Sequence, residues 1–212
     1  MHRMNEPLTL TVWSDFLCPW CYVAAIRLEQ LEAEYEGKIE IEWKQFLLQP
    51  EPRNKPIEKF ITYTQLWVKD AGPGGSAPEL GFRPWETGDS APPTHSLPSA
   101  IAGRLARTHG KEAFARFHLA TMRAYFVEHR MISDPDVLAD IASETGLDRA
   151  EFRDRLATEG GTLAKEVLAE FAEAHENEVH AVPSVVLNGF PIPGAQELPV
   201  YRAMIDRLLA KN

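Results

Sequence analysis

The two cysteines of this 212-residue chain stand three apart, as Cys18-Pro19-Trp20-Cys21, between a segment of alternating apolar residues and a helical pattern. Thiols at that spacing across a first helical turn lie within bridging range, so the pair can close to a disulfide and reopen with little backbone movement. The chemistry this permits is thiol–disulfide exchange, in which one thiolate attacks a disulfide and a second thiol displaces the product. A strand ending at Phe16 would deliver Cys18 to the start of the following helix, where unpaired N–H groups and the macrodipole favour a thiolate. Placement governs reactivity: at pH 7 an ordinary thiol is only about 3% ionised, one lowered to roughly 6 about 90%.

Composition narrows the setting. The chain has 22 basic and 31 acidic residues, a net charge of −9, which argues for a solvated surface and against a phosphate-binding one such as a nucleic-acid site. No run of about 18 apolar residues exists, so no membrane span is expected. The stretch from Met1 to Pro7 lacks an apolar signal core and alternation starts at Leu8, so the expected compartment is cytoplasmic. There a CxxC pair is more often catalytic or metal-binding than a structural bridge. His175 and His180 stand in ligand-like spacing, which leaves a zinc-binding or redox-sensing interaction protein as a non-enzymatic alternative.

The elements that must position the thiols follow from periodicity. Leu8, Leu10 and Val12 alternate with threonines and Trp13, giving a first strand; Cys21, Ala24, Leu28, Leu31 and Tyr35 define a helix ending at Gly37; Ile39, Ile41 and Trp43 make a second, parallel strand. A Pro/Gly-rich excursion from Gln49 to about Thr94 holds one short helix, Ile57 to Val68, with Trp67, Phe82 and Trp85 expected to anchor it. Helices then follow over Ser99 to His109, Glu112 to His129, from a capped start at Ser133-Asp134-Pro135 to Gly146, Asp148 to Ala157, and Thr162 to about His175. His118, on an apolar face, reads as structural, and the glutamates at 32, 34, 36, 170, 173 and 176 read as solvated faces. Ser184 to Leu187, an Asn188-Gly189 turn and Phe190 to Ile192 make a hairpin whose Pro191 belongs at an edge, and Glu197 to Leu209 is a closing helix.

The order βαβ, helices, ββα with CxxC opening the first helix resembles the thioredoxin architecture, and particular stretches are similar to the DsbA superfamily, in particular its FrnE-like branch. Those stretches are Asp15 to Tyr22 (DFLCPWCY), Ala124-Tyr125-Phe126, the run from Asp136 to Leu156, Ala181 to Gly189 (AVPSVVLNG) and Ile192 to Gln196 (IPGAQ). The resemblance implies an α/β fold: a thioredoxin-like domain from residues 1–55 and 177–212 interrupted by an all-helical insertion over 56–176. It implies that Cys18 is the nucleophile, exposed at the helix end, and that Cys21, one turn in, is shielded and resolves the mixed disulfide. It also implies that Pro19 and Trp20 tune the redox couple, and that Val182-Pro183 is an X-cis-Pro whose backbone meets an extended substrate. Partners would be client proteins or small thiols and an unidentified redox partner, with no cofactor. Six residues before Cys18, where the family often carries a buried acid, this chain has Val12, and Asp15 is expected to serve as a turn or cap residue. A glutathione-dependent isomerase or transferase of the kappa or hydroxychromene-carboxylate isomerase type is the enzymatic alternative; those proteins usually have serine at the position of Cys18 and no equivalent of Cys21.

Overall fold

A computed structural model of the chain describes residues 7–72, 75, 77–187 and 189–210. Four strands, β1 (Leu8–Ser14), β2 (Ile39–Gln45), β3 (Ser184–Leu187) and β4 (Phe190–Pro193), form a sheet in the order β2-β1-β3-β4. β1 runs parallel to β2 and antiparallel to β3, and β3 and β4 form the antiparallel hairpin. Asn188, half of the expected turn, lies outside the described residues.

The pleat of β1 sorts its residues. Leu10 and Val12 join Val185 and Leu187 under helices α1 (Pro19–Glu34) and α7 (Leu198–Leu209), in a core with Leu28, Leu31, Tyr201 and Ile205. Trp13, on the opposite face, packs with Phe46, Ala174 and Val179. Between β2 and β3 lie α2 (Ile57–Asp70), α3 (Leu97–Arg107), α4 (Lys111–Phe126), α5 (Pro135–Glu144) and α6 (Arg149–Glu176). Within the expected capped start, the α5 cap is Asp134, whose carboxylate accepts the Asp136 N–H.

The two helices expected over 148–157 and 162–175 are one 28-residue helix, α6. Gly160 and Gly161 suggest a break because each costs about 1 kcal/mol in a helix interior. Packing on both sides outweighs that: Phe152 meets Phe117 of α4, while Leu163, Val167 and Ala174 are buried further along.

Trp67, Trp85 and Phe82 are buried and anchor the Pro/Gly-rich excursion, as expected. Trp67 meets both Tyr125 and Phe126 of α4, and Tyr22 of α1 stacks on Phe126 at 5.7 Å, tying the CxxC helix to the helical segment. His129 stacks on Trp85 at 4.1 Å and hydrogen-bonds Asp89 at 2.5 Å and the Arg83 carbonyl at 3.0 Å, fixing residues 83–90.

The outer strands are closed in different ways. On β2, the Ile41 N–H donates to Glu32 (3.1 Å), the Gln45 N–H to Glu170 (2.9 Å), and Arg107 donates to the Trp43 carbonyl. Glu32 and Glu170 are therefore edge caps and not members of solvated faces; Glu170 also pairs with Arg104 at 3.0 Å. On β4, Pro191 and Pro193 occupy alternate positions, where strand N–H groups turn away from the partner strand, and they have none to offer.

His118 is buried among Phe114, Phe16 and Trp43. Burial, helped by the Arg107 charge, pushes its ring down to about 3 from 6.5. The unfolded chain therefore takes up this proton first, so stability present above pH 6.5 is lost as pH falls toward 3. We expect His118→Phe to make the acid loss of denaturant stability shallower by about 1–3 kcal/mol over that range; an unchanged slope would contradict a buried, neutral ring.

Candidate functional site

β1 ends at Ser14, two residues earlier than the alternation suggests, and residues 15–17 form the turn into α1. Asp15 governs that turn. Its carboxylate accepts the N–H of Leu17 at 2.6 Å and of Leu48 at 2.7 Å, and its carbonyl accepts the Cys18 N–H at 3.1 Å. More than a turn residue, it is 1% exposed and joins the CxxC turn to the segment after β2. Phe16 is wedged against Gly103 of α3, where an added Cβ would lie 2.9 Å from the ring.

Cys18 is the N-cap of α1 (φ −94°, ψ 115°), and Pro19 takes the first helical turn, where its missing N–H has no intrahelical role. The Cys18 carbonyl accepts the Cys21 N–H at 3.0 Å and the Tyr22 N–H at 3.3 Å. Both cysteines are free thiols. Cys21 is fully buried, and Cys18, expected to be exposed, is 4% exposed. The reason lies far along the chain: the Cys18 thiol donates to the Val182 carbonyl at 3.5 Å. Trp20 is partly buried, packed on the main core.

The Val182–Pro183 peptide bond is cis. Val182 is half-buried and Pro183 buried. The Pro183 carbonyl accepts the Gly194 N–H at 2.7 Å, and Gly194 has the left-handed φ of +81° that glycine adopts without cost. Arg27 of α1 donates to the carbonyls of Ala195 (3.0 Å) and Gln196 (3.1 Å) and pairs with Glu197 at 2.8 Å. The IPGAQ segment is thus a strut between the helix that carries the cysteines and the loop that carries the cis-proline.

Electrostatics separates the groups. Burial pushes the Cys21 thiol well up, and the adjacent Cys18 adds to this; the Asp15 N–H, 3.5 Å from the sulfur, and the Ser14 hydroxyl act in the opposite direction. The Asp15 carboxyl is raised by burial, while Ser96, the Leu17 and Leu48 N–H groups and the Lys55 charge pull it partly back. His175 packs against Phe171 and Phe46, its ring 6.2 Å from that of His180. Among the described residues no three His, Cys, Asp or Glu side chains group as metal ligands.

Sequence reasoning passed over Ser14 and undervalued Asp15. The signal for Ser14 is its parity with Leu10 and Val12, which puts it on the α1 face; for Asp15 it is the position directly before the turn.

Free thiols at a helix N-terminus, facing a cis-proline on a β2-β1-β3-β4 sheet, define a thioredoxin-fold protein with a helical elaboration. The chain belongs to the DSBA-like thioredoxin domain family, which it matches over residues 9–206. It is 29% identical over 206 residues to the uncharacterized protein YwbO of Bacillus subtilis, covering 93% of this chain and 95% of that one. The cytosolic disulfide reductase DsbM from Pseudomonas aeruginosa superposes with a TM-score of 0.71 at 20% identity, covering 97% of this chain and all of the other. A 2-hydroxychromene-2-carboxylate isomerase superposes at 0.67, also at 20% identity, covering 97% and 98%. Likeness at this identity establishes the shared fold, which both chemistries use.

Because burial raises Asp15, the folded protein holds this proton to higher pH than the unfolded chain does. Its contribution to stability is therefore full below about pH 4 and declines as pH rises through the folded value. We expect the stability of wild type relative to Asp15→Asn, from denaturant titrations at several pH values, to fall between pH 4 and 7. A rising difference would mean that the hydrogen-bond donors outweigh burial.

Proposed function

We propose that the protein is a thiol–disulfide oxidoreductase or disulfide isomerase that uses Cys18 and Cys21 on protein or small-molecule disulfides. The observation that carries this reading is the Cys18 thiol, at the N-cap of α1, lying 3.5 Å from the Val182 carbonyl beside a cis-proline. In this reading the Cys18 thiolate attacks a substrate disulfide and expels one thiol, leaving a mixed disulfide. Cys21 then attacks Cys18, releases the second thiol and closes the Cys18–Cys21 bond, which an external dithiol reopens. The reverse sequence oxidises a client.

Its residues support this division. Cys21 is sealed from solvent and reaches only what is already bonded to Cys18. Pro19 and Trp20, between the sulfurs, are the positions that tune the couple, and Val182 and Pro183 form the wall against which an extended substrate lies. The helical segment 56–176 acts as an insertion that backs the CxxC helix, through Tyr22 and Phe126. Glutathione-dependent isomerases of this fold usually have serine at the position of Cys18, and the retention of two sulfurs favours exchange. The absence among the described residues of a helix long and apolar enough to cross a membrane is compatible with a cytoplasmic role, served by a separate redox partner.

Cys18→Ser is expected to reduce insulin disulfide turnover to background, while Cys21→Ser accumulates trapped mixed disulfides visible on non-reducing gels. Undiminished turnover by Cys18→Ser would end this reading. The direction of electron flow follows from the potential of the pair: a value near about −270 mV marks a reductant and one near about −120 mV an oxidant.

A further inference from the structure

The exchange reading leaves one chemical requirement unmet. Before Cys21 can resolve a mixed disulfide its thiol must lose a proton, in a site where both sulfurs are buried. The residue that stands six before Cys18, Val12, is fully buried and has no polar atom to assist. One pleat further along β1 is Ser14.

Ser14 is the last residue of β1 and shares the α1 face with Leu10 and Val12, directly below the first turn of the helix that holds Cys21. It is 3% exposed, and its Oγ is buried with no hydrogen-bond partner at bonding distance among the described residues. Its backbone is committed, since the Ser14 carbonyl accepts the Phe46 N–H at 2.9 Å. A buried hydroxyl without a partner is destabilising, and a redox or catalytic role is one reason such a group is kept. The backbone of the next residue reaches the Cys21 sulfur, which places the hydroxyl beside that thiol, whose ionised form it favours. The Asp15 N–H approaches the same sulfur at 3.5 Å.

We propose that the Ser14 hydroxyl and the Asp15 backbone N–H together form a two-donor cradle for the Cys21 thiolate, so that Ser14 is a catalytic residue of the resolving step. This rests on the exchange reading and specifies how its second half proceeds. The proton of Cys21 passes to the thiolate expelled by the first attack; Ser14 keeps its own proton throughout and turns it toward the sulfur. The thiolate then attacks Cys18 Sγ, the Cys21–Cys18 bond forms, the bond from Cys18 to the substrate sulfur breaks, and the departing thiolate takes up a proton. Two protein thiols are oxidised and one substrate disulfide is reduced to two thiols.

The test uses reduced full-length protein and one equivalent of 5,5′-dithiobis(2-nitrobenzoate) in stopped flow. Attack by Cys18 releases a first coloured thiolate and resolution by Cys21 a second, so the two steps are seen separately. Ser14→Ala is expected to slow the second phase about tenfold relative to the first, as the loss of a hydrogen bond to a charged group would, and to shift the pH midpoint of that phase to the alkaline side. If Ser14→Ala does not fold, the Ser14→Thr and Ser14→Val pair, alike in shape and differing in the hydroxyl, gives the same comparison, with Thr the faster. A second phase unchanged in rate and pH midpoint, or both phases slowed equally, overturns the assignment. A wild type that shows no first phase overturns the exchange reading, and this assignment with it.

Discussion

The approach of the Cys18 thiol to the Val182 carbonyl joins residues 164 positions apart, and the rest of the molecule is arranged around holding its two ends. The contact cannot hold itself, because a thiol is a weak donor. Its geometry comes from stronger bonds on either side. Asp15 fixes the turn before Cys18 with two short N–H bonds, and the Gly194 N–H fixes the Pro183 carbonyl. Arg27 then links the two halves by reaching from α1 to the carbonyls of Ala195 and Gln196. A charged donor on paired carbonyls is among the stronger arrangements a protein has.

Behind this frame the helices between β2 and β3 act as a rigid backing. Phe16 fills the space that Gly103 leaves, and its ring also meets His118 in the edge-on geometry that aromatic pairs prefer. Tyr22, on the other side of α1, is stacked on Phe126. The first turn of α1 is therefore gripped from both sides by apolar packing, which resists displacement.

Much of this was legible in the sequence. Alternation at Leu8 to Val12 and at Ile39 to Trp43, the helix from Pro19, and the hairpin near Gly189 all depend on neighbours within a few residues. The near-complete burial of Cys18 was not, because it depends on a loop that local periodicity cannot place. Glu32 and Glu170 look like members of acidic faces until the edge of β2 is set beside them, and Gly160-Gly161 looks like a break until the packing at both ends of α6 is known. Ser14 and Asp15 gave only faint signals, one by strand parity and one by adjacency. Their importance lies in what approaches them from elsewhere.

The closed margins of the sheet carry a consequence for how the protein keeps company with other chains. A protein that handles the disulfides of incompletely folded clients meets extended segments in search of backbone partners, and an open strand is their usual point of attachment. Here one outer strand has two donors and an acceptor occupied by Glu32, Glu170 and Arg107, and the other has prolines where its outward donors would be. Neither margin therefore offers an incoming extended segment a ladder to continue.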